Sequence, residues 1–111
     1  MFQQSVPTVT IDEVSKGAHV LDVREPEEWS AGRAPDAQHV PMQEIPARLD
    51  EVPADGDVVV VCRMGGRSAQ VVAYLQNLGR DNVTNLDGGM RAWAQAGRPV
   101  VNDGGAPGEI I

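Results

Sequence analysis

The chain has 111 residues, with 9 basic and 16 acidic side chains and a net charge of −7. That length suits one domain burying roughly 65% of its unfolded surface, so a core needs no metal or disulfide. The apolar share of 41% excludes a disordered chain, and the acid excess argues against nucleic acid and anionic membranes as partners.

Thr8-Val9-Thr10 reads as a short strand. Thr10 with Glu13 makes a capping box, which predicts a helix from Ile11 to about Lys16, stopped at Gly17. Val20–Val23 is a second strand. Pro26 suits a first helical position, with Glu27 and Glu28 in the first turn and Gly32 as terminator. Gln38-His39-Val40 is a third strand. Ile45, Leu49 and Val52 recur at helical spacing before Pro53. Val58 to Val61 are four valines in a row, a pattern that fits a strand buried on both faces of a parallel sheet. From Ser68 a helix carries Val71, Leu75 and Leu78, and Gly79 stops it. Val83–Leu86 is a fifth strand, and Met90, Trp93 and Ala94 mark a last helix. The alternation defines an α/β class with a mostly parallel sheet. Trp29 and Trp93 are expected in the core. Residues 1–101 read as one domain and 102–111 as a Gly/Pro-rich tail, expected to fray.

The segment Cys62-Arg63-Met64-Gly65-Gly66-Arg67-Ser68 concentrates the chemistry. A buried strand ends at a cysteine, two glycines turn the chain, and a helix starts. Ligands of open α/β sheets bind beyond the carboxyl ends of strands. Glycines let successive N–H groups face inward as an anion nest, and the helix N-terminus adds partial positive charge. Arg63 and Arg67 add full charges. All of these favour the thiolate of Cys62, the reactive form. A fall of about two units from a thiol pKa near 8.5 would raise the ionised fraction at pH 7 from ~3% to ~75%.

The charge is divided unevenly. Residues 1–61 hold 4 basic and 12 acidic side chains (−8); residues 62–101 hold 5 and 2 (+3); the tail adds −2. The single cysteine opens the basic segment. One cysteine makes no internal disulfide, and Met1 to Thr10 lacks the basic and apolar stretches of a secretory leader, so a cytoplasmic location is expected. The longest apolar run, Val58 to Cys62, is too short to cross a bilayer. His19 and His39 show no spacing to Cys62 that makes a dyad, and neither a metal site nor a cofactor is expected.

Leu21-Asp22-Val23-Arg24-Glu25-Pro26-Glu27-Glu28-Trp29, Gly32, Ala37, Pro41, the Cys62–Ser68 loop, Leu86-Asp87-Gly88-Gly89-Met90, Trp93 and Gly97-Arg98-Pro99-Val100 together resemble a single-domain rhodanese, over residues 8–101. The resemblance implies a rhodanese-like fold, a five-stranded mostly parallel sheet flanked by helices on both faces. It implies a thiosulfate sulfurtransferase working through a persulfide on Cys62. Small sulfur-containing anions and thiols are then the partners, or a sulfur-acceptor protein, since the chain has no second cysteine to resolve the persulfide. Arg63, Met64, Gly65, Gly66 and Arg67 form the substrate-binding loop. Asp22, Arg24, Glu28 and Ser68 support it. Arg67 either holds an anion or pins the loop to Glu27 or Glu28. Met64 is either an apolar rim for a partner or surface filler. Two segments depart from the family: Gly32-Arg33-Ala34 replaces Gly-His-Ile, and Pro35-Asp36-Ala37 replaces Pro-Gly-Ala. Arg33 is thereby expected to alter the rim of the site.

A cysteine phosphatase or arsenate reductase is the nearest rival. Those families place five residues between cysteine and arginine; here only Arg63, Met64, Gly65 and Gly66 intervene. A sulfur carrier or a regulatory binding module is the other alternative. Any anion preference is assigned to residues 62–68, because attraction across a few ångströms outweighs a screened, diffuse repulsion. Thiosulfate turnover is therefore expected to change less than about threefold between low and physiological salt; a steep dependence in an initial-rate series would place the preference in the long-range field instead.

Overall fold

The computed structural model describes residues 6–111; the leader reading rests partly on residues 1–5, outside that range. Five strands, β1 (Thr8–Val9), β2 (His19–Asp22), β3 (Gln38–His39), β4 (Val58–Val61) and β5 (Val83–Leu86), form one sheet in the order β1-β5-β4-β2-β3. Every pairing is parallel. The α-helices are α1 (Pro26–Ala31), α2 (Gly66–Asn77) and α3 (Gly89–Gln95).

β4 lies at the centre, paired with β2 on one side and β5 on the other. Its side chains alternate between two cores. Val58 and Val60 pack with Val71, Val72 and Leu75 of α2. Val59 and Val61 pack with Met90 and Trp93 of α3. Neither face meets water, which is why the strand needs no polar alternation. Each buried valine contributes roughly 1.5–3 kcal/mol, so the strand leading to Cys62 is held from both faces.

Four local expectations change. The capping-box helix is a single 3₁₀ turn, Ile11–Glu13, although the Glu13 carboxylate does accept the Thr10 N–H at 2.8 Å. The stretch read at helical spacing, Met42–Glu51, is 3₁₀ rather than α, with non-helical φ of −124° at Arg48. Pro46 inside it has no N–H to give, so an α-helical ladder cannot start at Met42. The helix expected from Ser68 begins at Gly66. Trp29 is half-buried rather than in the core. It stacks on His39 with ring centroids 4.6 Å apart, and the Arg33 guanidinium lies 4.6 Å from its centroid.

The tail is not frayed. Arg33 and Val101 exchange both backbone hydrogen bonds at 2.9 Å. Past a turn held by the Asn102 side chain, Gly108 N–H donates to Val100 and Glu109 N–H to Ala31. Ile110 packs on the α3-side core. Arg33, expected at the rim, instead pairs with Asp103 of the tail at 2.6 Å. Asp36, the other departure, has φ of +64°, the left-handed region where glycine is the natural occupant.

Gly32 makes this docking possible. A Cβ there would lie 2.7 Å from the Glu109 backbone nitrogen. Its own φ is −179°, open to any residue, so Gly32→Ala should displace the tail without straining α1. Limited proteolysis is expected to cut within residues 102–111 about tenfold faster, with the free energy of global unfolding changed by less than about 1 kcal/mol.

Candidate active site

Cys62 follows β4 directly and is 1% exposed. Its Sγ accepts a hydrogen bond from the Gly65 N–H at 3.1 Å and faces the Ser68 hydroxyl at 3.3 Å. Gly65 then adopts φ of +111°, a left-handed conformation that turns the chain from the loop into α2. Gly66 opens α2, and Ser68, in the first turn of that helix, is fully buried.

Burial pushes the Cys62 thiol up. The Ser68 hydroxyl and the N–H groups of Ser68, Gly65 and Met64 outweigh it, so the thiol is held below its ordinary value. The lowering therefore comes from neutral donors. The N–H groups of the turn are the donors the sequence led us to expect, and the Ser68 hydroxyl joins them. Arg67 forms a two-pronged pair with Glu28, at 2.8 and 2.9 Å, so its charge is largely answered. Of the two roles open to Arg67, the structure shows the pin, to Glu28 rather than Glu27. Arg63 turns the other way and donates to the main-chain oxygen of Ile111 at 2.8 Å. It also lines a cavity of about 470 Å³ with Arg91, Gln95 and Glu109; Cys62 is not among the lining residues. Met64 stands outward on the loop, 55% exposed.

The remaining residues lie beneath the loop. Asp22, at the end of β2, takes two hydrogen bonds from Arg24 Nε and one from its Nη2, with both side chains fully buried. Arg24 Nη2 also donates to the Gly32 carbonyl at 2.6 Å. Its Nη1 has no acceptor among the described residues. His39 Nε2 donates to the Arg24 carbonyl, so this histidine braces the same turn. Glu28 has a second task, accepting the Glu25 N–H at the start of α1.

Two contributors were not singled out in the sequence. The N–H groups of Met90 and Arg91 donate to the carbonyls of Cys62 and Arg63, at 2.8 and 3.0 Å. The first turn of α3 thus grips the backbone of the cysteine itself. Gly89 is part of that grip: its φ is +57°, and a Cβ would lie 2.7 Å from the Arg63 carbonyl oxygen. The paired Gly88-Gly89 was the available signal. The other contributor is Asn85 of β5, which reaches Ser68 and the Gly65 carbonyl; nothing in its spacing marks it.

A cysteine seated in the turn from a central parallel strand into a helix defines a known class of α/β protein. The chain belongs to the rhodanese-like family: the family's rhodanese-like domain matches residues 7–96. A sulfurtransferase of Allochromatium vinosum is 49% identical over 82 residues, covering 74% of this chain and 77% of that protein. The thiosulfate sulfurtransferase GlpE of Vibrio cholerae is 33% identical over 85 residues, covering 77% and 80%. Among solved structures, a rhodanese-related protein of Thermoplasma volcanium is similar with a TM-score of 0.78 and 33% identity, covering 86% of this chain and 97% of that one.

The Arg67 hydrogen bond holds the Glu28 carboxyl below its ordinary value of 4.5. A carboxylate lowered on folding stabilises the fold above its unfolded pKa, and that stability is lost as pH falls through the folded value. Glu28→Gln should therefore cost about 1 kcal/mol at pH 7, with Arg67 partly exposed. Below pH 4.5 the gap between variant and wild type should narrow in urea titrations.

Proposed function

We propose that the protein transfers sulfane sulfur through a persulfide on Cys62. The observation that carries this reading is the Cys62 sulfur itself: lone, buried, and met by the Gly65 N–H and Ser68 hydroxyl where a strand turns into a helix. The sulfurtransferase relatives support the same chemistry. The Cys62 thiolate attacks the outer sulfur of a donor such as thiosulfate. A new S–S bond forms on Sγ, the donor's S–S bond breaks, and the electron pair leaves on sulfite. The outer sulfur of the persulfide then carries the negative charge, and inward N–H groups of the turn stabilise it. An acceptor such as cyanide or a thiol attacks that outer sulfur, and the thiolate returns.

The chain has one cysteine, so the acceptor comes from outside. Met64, standing out beside the site, favours a protein as one acceptor, since a thioether on a rim adapts to varied partner surfaces. The turn is tight: α2 begins at Gly66, only four residues after Cys62. That suits one sulfur atom better than a tetrahedral oxyanion, and so disfavours phosphatase chemistry.

Incubation with thiosulfate followed by intact-mass and peptide mass spectrometry should show one added sulfur atom, on Cys62. Cyanide should remove it and release thiocyanate. Cys62→Ser should lose about 10³-fold or more of the cyanolysis rate. An unmodified thiol under saturating thiosulfate and other sulfane donors would overturn the reading.

A further inference from the structure

Ser68 Oγ lies between two partners, Cys62 Sγ at 3.3 Å and Asn85 Oδ1 at 2.5 Å. A hydroxyl carries one proton. The direction of the Asn85 amide is settled at its other end, where Nδ2 donates to the Gly65 carbonyl at 3.2 Å. Its Oδ1, an acceptor only, therefore faces Ser68. Ser68 can give its proton to Asn85 or to Cys62, not to both.

The two protonation states of Cys62 treat this arrangement differently. As a thiol, Cys62 donates S–H to Ser68 Oγ, and Ser68 donates O–H to Asn85. Both bonds are made. As a thiolate, the sulfur is a second acceptor, and the proton of Ser68 is contested. The charged sulfur wins it, the hydroxyl rotates, and Oδ1 of Asn85 loses its donor in a residue only 7% exposed. We propose that Asn85 is a positioning residue that acts on Cys62 through Ser68, favouring the neutral thiol and, after loading, the persulfide. In the persulfide the negative charge has moved to the outer sulfur. Sγ is then a weak acceptor, and the Ser68 proton returns to Asn85. This second half rests on the persulfide reading above; the first half does not.

The alternative is that Asn85 merely holds the two donors in place. The Gly65 carbonyl, however, also accepts the Ala69 N–H of α2 at 3.2 Å, so the turn keeps a tether without Asn85. The charged groups on the surrounding elements are Arg63 in the turn, Arg67 on α2 paired with Glu28 of α1, the pair of Asp22 at the end of β2 with Arg24, Asp87 after β5, and Arg91 on α3. Among the described residues, none of them bonds to Ser68 or Asn85.

The test is the pH dependence of Cys62 alkylation by iodoacetamide, which needs no sulfur donor and so reads independently of sulfur transfer. Asn85→Ala should lower the midpoint by about half a unit to one unit, because Ser68 is freed for the thiolate. Ser68→Ala should raise it by a similar amount. In the Ser68→Ala background, Asn85→Ala should have no further effect. A raised or unmoved midpoint for Asn85→Ala alone would overturn the proposal, as a purely scaffolding role predicts. Wild-type protein supplies the answer if that variant does not fold. The Asn85 side-chain amide resonances should titrate with the Cys62 midpoint in nitrogen-15 NMR spectra; resonances that stay fixed through it would equally sink the idea.

Discussion

The end of β4 has to stop inside the protein. Four consecutive valines are buried on both faces of the sheet, so the strand delivers Cys62 to a place where its own backbone carbonyl has no water to turn to. The carbonyls of Cys62 and Arg63 are met by the Met90 and Arg91 N–H groups. That one exchange serves both sides. It satisfies carbonyls that the strand leaves open and N–H groups that the start of α3 leaves open. It also explains the left-handed Gly89, since no side chain fits between the two backbones. The turn that follows can then curl toward the sulfur because its base is already anchored from the opposite core.

The site separates charge from reactivity. The strong ion pairs near it are closed on themselves: Arg67 on Glu28, and Arg24 on Asp22. The buried Asp22–Arg24 pair is no reservoir of stability, because desolvating two charges offsets most of their attraction. Its effect is geometric. With Arg24 also bound to the Gly32 carbonyl, it ties the end of β2 to the end of α1, the helix from which Glu28 reaches Arg67. What remains pointed at the sulfur is a set of neutral dipoles. Such donors lower the thiol while the nearest cation, Arg67, is held in its pair with Glu28.

Most of the framework was legible in the sequence because hydrophobic pattern and local turn residues determine it. The valine run, the spacing of Val71 and Leu75, and the glycines after α2 and α3 all reflect burial or local turns. Cys62 and its glycines were legible for the same reason, since a turn after a buried strand has few other uses for two glycines. Long-range partners were not. Asn85 lies 17 residues from Ser68 in the chain, and Asp103 lies 70 from Arg33. The tail misled because Gly and Pro content usually signals disorder. Here Gly32 and Gly108 are small so that two backbones can touch. The sequence left Arg67 open between an anion and a pin, because composition counts charges but does not show which are already paired, as Arg67 is with Glu28.

The outward set of the loop side chains has a bearing on how such a site can diversify. The hydrogen bonds that hold the Cys62 sulfur come from a backbone N–H and from Ser68, while Arg63 and Met64 project away from it. The side chains that face outward and the atoms that bond to the sulfur are therefore different parts of the same short turn. Arg63 and Met64 can be exchanged for residues of other size or charge while the thiol keeps its donors. The outer surface of the turn can thus drift in sequence while the atoms that hold the sulfur stay fixed.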